Sequence, residues 1–227
     1  YQAKRGGASA WRFFEPGMDE KLKAQAELDG QLRAALAAGT IVPYYQPIID
    51  LRTGRIKGFE ALARWPDPDT GFIPPDVFIP VAEDAGSIVD VTELMFRTAC
   101  QDAAQWREPL KLSLNLSAVL LKDHTLPLRL LAIMLRAGFP PSRLEIEVTE
   151  TALVNDLDAA QEVLGALRSA GVSIALDDFG TGYASIFHLR SFKFDVIKID
   201  KSYVSALGGE AANDFILRSM INLGHGL

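Results

Sequence analysis

Two hydrophobic rhythms alternate along the chain. Residues 19–38, DEKLKAQAELDGQLRAALAA, place Leu22, Ala26, Leu28, Leu32 and Leu36 at helical spacing, with Asp19 positioned to cap the start and Gly39 to stop the end. IVPYYQPIIDLRTGRIKGFEALARW follows, where two strand-like runs flank RTGR, a hairpin signal, so the fold opens with an antiparallel pair. The pattern then changes. A helix over 90–107 leads to the strand LKLSLNLS, and a mostly helical 118–137, with Pro127 as a break or kink, leads to RLEIEVTE. A helix over 157–170 leads to GVSIALDD, a short helix around 184–190 to FDVIKID, and a last helix covers 203–223. Strands alternating with helices in this way imply right-handed βαβ units and a parallel sheet. Eight such units would close a (β/α)8 barrel at about 250 residues. The expected fold is therefore α/β, a TIM-like (β/α)8 barrel with an antiparallel first strand and its last strands outside these 227 residues. The chain opens at Tyr1 rather than Met and reads as part of something longer.

Period two sorts the strand residues onto faces. Glu60, Leu62 and Arg64 share one face of GFEALARW; Ser113, Asn115 and Ser117 one face of LKLSLNLS; Glu145, Glu147 and Thr149 one face of LEIEVTE; Val196, Lys198 and Asp200 one face of FDVIKID. The leucines, isoleucines and valines lie mostly opposite, where outer helices would cover them. Barrel interiors are normally filled by bulky aliphatic side chains, and active-site groups gather at the carboxyl ends of the strands. Polar groups facing inward on consecutive strands therefore need a chemical reason.

Composition narrows the reason. Hydrophobic residues make up 48%, enough for a sizeable core, and the net charge is −6 with a pI near 5.1, which gives no support to a DNA- or RNA-polymer binder. One cysteine, Cys100, excludes an internal disulfide and any Cys/His metal spacing, and suits a reducing, cytoplasmic compartment. The three histidines are scattered. No signal peptide is legible and no apolar run is long enough for a bilayer span, so direct membrane insertion is not expected.

Adjacent Asp177 and Asp178 sharpen the question, because neighbouring carboxylates repel. They cannot both face inward on a regular strand, so the strand is expected to end there, with Asp178 carried by the loop and Gly180 and Gly182 permitting a tight turn. Glu60, Asn115, Glu147, Asp177 and Asp178 would then converge as four carboxylates and an amide. Such an all-oxygen set suits hard divalent cations, and an aspartate shared between two cations is a common basis for phosphoester hydrolysis.

On these residues the chain resembles the EAL-domain family, whose active members are cyclic di-GMP phosphodiesterases. The triplet Glu60-Ala61-Leu62 lies in GFEALARW; YYQPIIDL, FIPVAEDAGSI, LNLS, EVTE, DDFGTGY and VIKID match as well, in order, over residues 41–205. YQAKRGG and FFEPGMDEKL resemble the end of a GGDEF domain and its joint to an EAL domain. That divides the chain into a GGDEF-like tail at 1–18, a connector helix at 19–38 and the EAL domain from 39 to 227.

The resemblance implies metal ligands at Glu60, Asn115, Glu147, Asp177 and Asp178. It places Lys198 against the attacking water or the phosphate, Glu150 as the brace of the loop after the aspartates, and Gln46, Leu62 and Arg64 against the substrate. It implies hydrolysis of cyclic di-GMP to linear 5′-pGpG by water activated between two Mg2+ or Mn2+ ions, with Ca2+ inhibitory. A later AEGVE segment, whose glutamate serves the second cation or acts as base, has no counterpart in these residues. The alternative is a cyclic di-GMP receptor with weak or no turnover. A homodimer and an upstream GGDEF-like domain in the same chain are the partners this resemblance implies.

Overall fold

Gly39 takes the left-handed conformation, φ 66°, and ends helix α1 (Met18–Ala38), which contains Asp19 within its span. The structure, a computed structural model, describes residues 18–154, 156–181, 192–206 and 211–226. Residues 1–17 of the tail expected at 1–18, the short helix expected around 184–190 and Gly182 lie outside the described residues. Leu32 and Ala35 are buried, so α1 packs against the body of the fold and lies beside α2 (Pro75–Ala85) and α3 (Ile88–Ala104).

The expected hairpin forms. Strands β1 (Val42–Ile49) and β2 (Ile56–Asp67) are antiparallel, and Asp50 Oδ1 accepts the backbone N–H groups of Arg52 and Thr53 to close the turn. A short β3 (Gly71–Ile73) folds back on β2. The parallel part follows as β4 (Lys111–Asn115), β5 (Leu144–Thr149), β6 (Ser173–Phe179) and β7 (Val196–Ile199), in the order β1-β2-β4-β5-β6-β7. Among the described residues the sheet does not close, and a cavity of about 670 Å³ runs along β7.

The connecting helices α4 (Leu126–Ala137), α5 (Glu150–Val154) and α6 (Leu157–Ser169) complete the alternation. Leu112, Leu114, Ile146, Val148, Ile174 and Leu176 are buried in one cluster with Phe96 and Leu130 from the helices. Each such side chain contributes roughly 1.5–3 kcal/mol by leaving water. That burial commits one face of β4, β5 and β6 to the helices and leaves the other to the polar residues.

Several elements differ from the sequence expectation. Pro127 marks the expected break and not a kink: a 3-10 turn over Ala118–Lys122 precedes it, and it sits in the first turn of α4, where its missing N–H costs nothing. The helix expected over 203–223 is two, α7 (Lys201–Ser205) and α8 (Ala211–Gly226). Strand β6 does not end at Asp177. It continues to the buried Phe179, and the register against β7 shifts between Leu176 and Phe179, leaving both aspartates in a bulge.

Candidate active site

Four strands deliver charged side chains to one point. Glu60 comes from β2, Glu147 from β5, Asp177 from β6 and Lys198 from β7. The Lys198 ammonium donates to Glu60 Oε2 at 3.1 Å, Glu147 Oε2 at 2.5 Å and Asp177 Oδ2 at 3.2 Å. Asn115, at the end of β4, donates its amide to Glu60 Oε1 at 2.9 Å. Period-two alternation on parallel strands produces this meeting, since Asn115 pairs with Glu147 in register and Glu60 with Ser113 one layer below. In that lower layer Ser113 donates to Glu145 at 3.0 Å and Lys111 to Ser173 at 3.1 Å, so the inner polar face is hydrogen-bonded at both levels.

The electrostatics are those of a crowded anionic site. Glu147 is fully enclosed, and burial pushes its carboxyl up to about 8, against the downward pull of the Lys198 hydrogen bond and charge. Burial works to lower the Lys198 ammonium as well, but the hydrogen bond and charge of Glu147, then the charges of Glu60 and Asp177, hold it above its ordinary value. The Asp178 carboxyl is raised by burial, then by Asp177 and by Asp200.

Asp178 occupies the left-handed region at φ 53°, and its N–H donates to Asp177 Oδ1 at 2.9 Å. This local bond and the bulge are how two adjacent acids share one strand end: Asp177 turns to Lys198, while Asp178 is the more exposed of the pair. The oxygens of Glu60, Glu147 and Asp177 approach within 4.8 Å of one another. Asp178 is near enough to feel their charge but is not in that group.

Glu150, at the start of α5 and 3% exposed, accepts the Gly180 N–H through Oε2 at 3.4 Å. Gln46 stands opposite Glu60 across the β1–β2 hairpin. Arg64 donates to its neighbour's carbonyl, Ala63 O, at 2.8 Å and lies over the Tyr44 ring, outside the acid cluster. Leu62 and Arg64 line a cavity of about 440 Å³ together with Asn115, Ser117, Thr149 and Thr151.

Two contacts escaped the sequence reading. Ser117 donates to Glu83 Oε1 at 2.6 Å, tying the turn after Asn115 to α2; Glu83 lies in the FIPVAEDAGSI stretch, which was the available signal. Tyr203, in α7, donates its hydroxyl to Gly180 O at 2.7 Å, and no periodicity marks it.

Gly180, with φ 101°, is thus gripped at its N–H by Glu150 and at its carbonyl by Tyr203. A Cβ there would stand 2.3 Å from Met220 Cε and 2.8 Å from Tyr203 Cε2. Gly180→Ala is expected to lower stability by about 2 kcal/mol, read by urea unfolding. A variant as stable as the wild type would show that the turn yields without strain.

The donor set fits a divalent cation on two grounds. Three carboxylate oxygens from different strands are within reach of one ion. Glu147 Oε1 is buried and has no hydrogen-bond partner, so a second cation beside Lys198 has an oxygen waiting for it. Oxygen ligands of this kind favour hard divalent cations over softer metals.

The profile described as EAL domain matches residues 29–227. The chain is 42% identical over 227 residues to an uncharacterized signaling protein of Caulobacter vibrioides, covering all of this chain and 28% of that protein. It is 34% identical over 231 residues to the bifunctional diguanylate cyclase/cyclic di-GMP phosphodiesterase MucR of Pseudomonas aeruginosa, covering all of this chain and 34% of that one. The chain thus spans about a third or less of these relatives. The solved MucR phosphodiesterase in complex with c-di-GMP superposes with a TM-score of 0.82 at 34% identity, over 88% of this chain and 83% of that one.

Proposed function

The chain belongs to the EAL domain family, and from that membership we propose that it is a metal-dependent phosphodiesterase that hydrolyses cyclic di-GMP to linear 5′-pGpG. One observation carries the reading: a single ammonium, Lys198, bridges carboxylates from three other strands, one of them enclosed. Four acids against one lysine leave a net negative site, counting Asp178. A dianionic substrate enters such a site only if further positive charge is bound.

Glu60, Asn115, Glu147 and Asp177 would hold one cation, and Asp177 with Asp178 would serve a second. When bound, such ions supply charge neutralisation and a water acidic enough to attack phosphorus near neutral pH. The chain's own side chains do the rest. Lys198, fixed by three acceptors, presents positive charge where negative charge grows on the phosphoryl oxygens. Asn115 keeps the Glu60 carboxylate aimed by its 2.9 Å hydrogen bond. Glu150 orients the turn at Gly180 and so the backbone that carries Asp178. Gln46, Leu62 and Arg64 are proposed to contact the substrate, with Arg64 leaving Ala63 O to grip a phosphate oxygen.

The proposal extends to the rest of the parent protein. Residues 1–18 would end a GGDEF-like domain and α1 would connect it to residues 39–227. The paired activities in the MucR name support that arrangement. No helix among the described residues is long and apolar enough to cross a membrane, which accords with the cytoplasmic location we propose.

Incubation with cyclic di-GMP and Mg2+, followed by chromatography, is expected to yield pGpG. Tight binding of intact cyclic di-GMP with no pGpG would make the chain a receptor and overturn the enzymatic reading. Ca2+ in place of Mg2+ is expected to permit binding without turnover, because its looser, larger coordination places ligands less strictly. Rapid turnover in Ca2+ alone would contradict that.

A further inference from the structure

Strand β7 has four residues and little to hold its register. Its ladder to β6 consists of Ala175 with Val196 and Leu176 with Ile197, then breaks at the bulge and resumes only at Phe179 with Ile199. Among the described residues it has no strand on its other side. Yet Lys198 must stand on the inner face, because a slip of one residue in a strand sends every side chain to the opposite face. A device that fixes β7 against β6 before Lys198 is reached would answer this need.

Asp195, one residue ahead of β7, does what a strand pair does, using its side chain for half of it. Its N–H donates to Ile174 O at 2.9 Å, and its Oδ2 accepts the Ile174 N–H at 2.9 Å. Its other oxygen, Oδ1, accepts Arg168 Nη2 at 2.9 Å. Arg168 stands in the last turn of α6 and also donates through Nη1 to Phe192 O at 3.4 Å. Between Phe192 and Asp195 the chain makes a left-handed turn at Lys193, φ 48°. The guanidinium fork therefore spans that turn, gripping a carbonyl on one side and a carboxylate on the other. Only a planar, two-pronged cation can do both at once. Phe192 is buried and anchors the near side of the turn.

We propose that Asp195 and Arg168 are positioning residues for the phosphodiester chemistry, locking the register of β7 so that the Lys198 ammonium reaches Glu60, Glu147 and Asp177. This rests on the proposed activity, but the placement of Lys198 can be measured without it. Neither residue touches the acid cluster, so their effect must pass through Lys198.

The test uses the full chain with Asp195→Asn and Arg168→Lys, each checked for folding by circular dichroism. Asparagine can still accept one hydrogen bond but cannot serve Ile174 and Arg168 together as a charged acceptor. Lysine keeps the charge and loses the fork. The first readout is acylation of Lys198 by an amine-reactive ester, followed by mass spectrometry, with exposed Lys57 as internal control. In both variants Lys198 is expected to react several-fold faster than in the wild type while Lys57 is unchanged. The second readout is kcat for cyclic di-GMP, expected to fall on the order of ten- to a hundred-fold with KM nearly constant, as for other residues that orient a functional group.

Folded variants with unchanged Lys198 labelling would overturn the proposal, whether kcat falls or not, because the effect would then not run through Lys198. A lowered melting temperature alone, with labelling and kcat intact, would make the pair merely structural and also overturn it. A wild type that binds but does not hydrolyse would sink the enzymatic reading, while labelling still decides the role of Asp195.

Discussion

Asp177→Asn is expected to lower kcat by about a thousand-fold while the protein stays folded. The geometry explains both halves. Asp177 Oδ1 accepts the N–H of Asp178, and an asparagine oxygen can keep that bond. Its other side would then present an NH2 group to the Lys198 ammonium, where Oδ2 stood at 3.2 Å. Two donors face each other, so Lys198 is left with Glu60 and Glu147 and is free to shift toward them. One negative charge also leaves the only carboxylate group of described residues that could share an ion. The loss should appear in Mn2+ affinity, read by titration calorimetry, as well as in turnover. The strand itself rests on Leu176 and Phe179, both buried and untouched by the change. Full turnover of Asp177→Asn at saturating Mg2+ would contradict the proposed use of this site.

The inner face of the sheet was legible in the sequence because two simple periods coincide there. Each parallel strand shows its helix face as a run of Leu, Ile and Val at every second residue, and whatever lies between must face the other way. Glu60, Asn115, Glu147, Asp177 and Lys198 could thus be set on one side before any coordinates, and they do meet.

Other features had no such signal. Helix α2 passed unread because Pro74, Pro75 and Pro80 look like breakers; Pro75 occupies the first turn, where proline is at home, and Pro80 is carried inside the helix by burial of Phe78, Val81 and Ala82 around it. The bulge at Asp177 and Asp178 could not be foreseen from alternation, since a left-handed aspartate depends on a local hydrogen bond that no period records. Register is a further case. FDVIKID announced a strand and an inward lysine, but nothing in it says that the Asp195 side chain substitutes for a backbone pair.

Lys198→Ala should have the larger effect on the folded state, with turnover lost as well. Glu147 is enclosed, and the ammonium at 2.5 Å is its ion-pair partner. Where the Glu147 carboxyl is ionised, removing its partner leaves an uncompensated buried charge and costs about 3 kcal/mol, so at high pH the variant should unfold at clearly lower urea than the wild type.

The dependence on pH follows from which protonation state the fold prefers. Burial raises the Glu147 carboxyl from its ordinary 4.5 to about 8 even with Lys198 present. A carboxyl raised in the folded state binds more protons there than in the unfolded chain. Its contribution is therefore complete below the unfolded value and is lost as pH rises through the folded one. Without the ammonium the raise grows, so the two proteins lose stability in parallel up to the wild-type value and the deficit of Lys198→Ala should widen only above it, being larger at about pH 9 than at about pH 7.

Divalent cation should raise the stability of Lys198→Ala above its own metal-free value, since an ion bound to Glu60, Glu147 and Asp177 replaces the lost positive charge. At a hundred times its Kd such an ion adds about 2.7 kcal/mol to the metal-free variant, yet turnover should stay low because the charge opposite the phosphoryl oxygens is still missing. Urea unfolding at the two pH values, with and without Mg2+, checks all three statements. A Lys198→Ala protein with wild-type stability in metal-free buffer at high pH would mean that the Glu147 carboxylate is neutralised by some other group, and the picture of a cation-dependent acid cluster would fail.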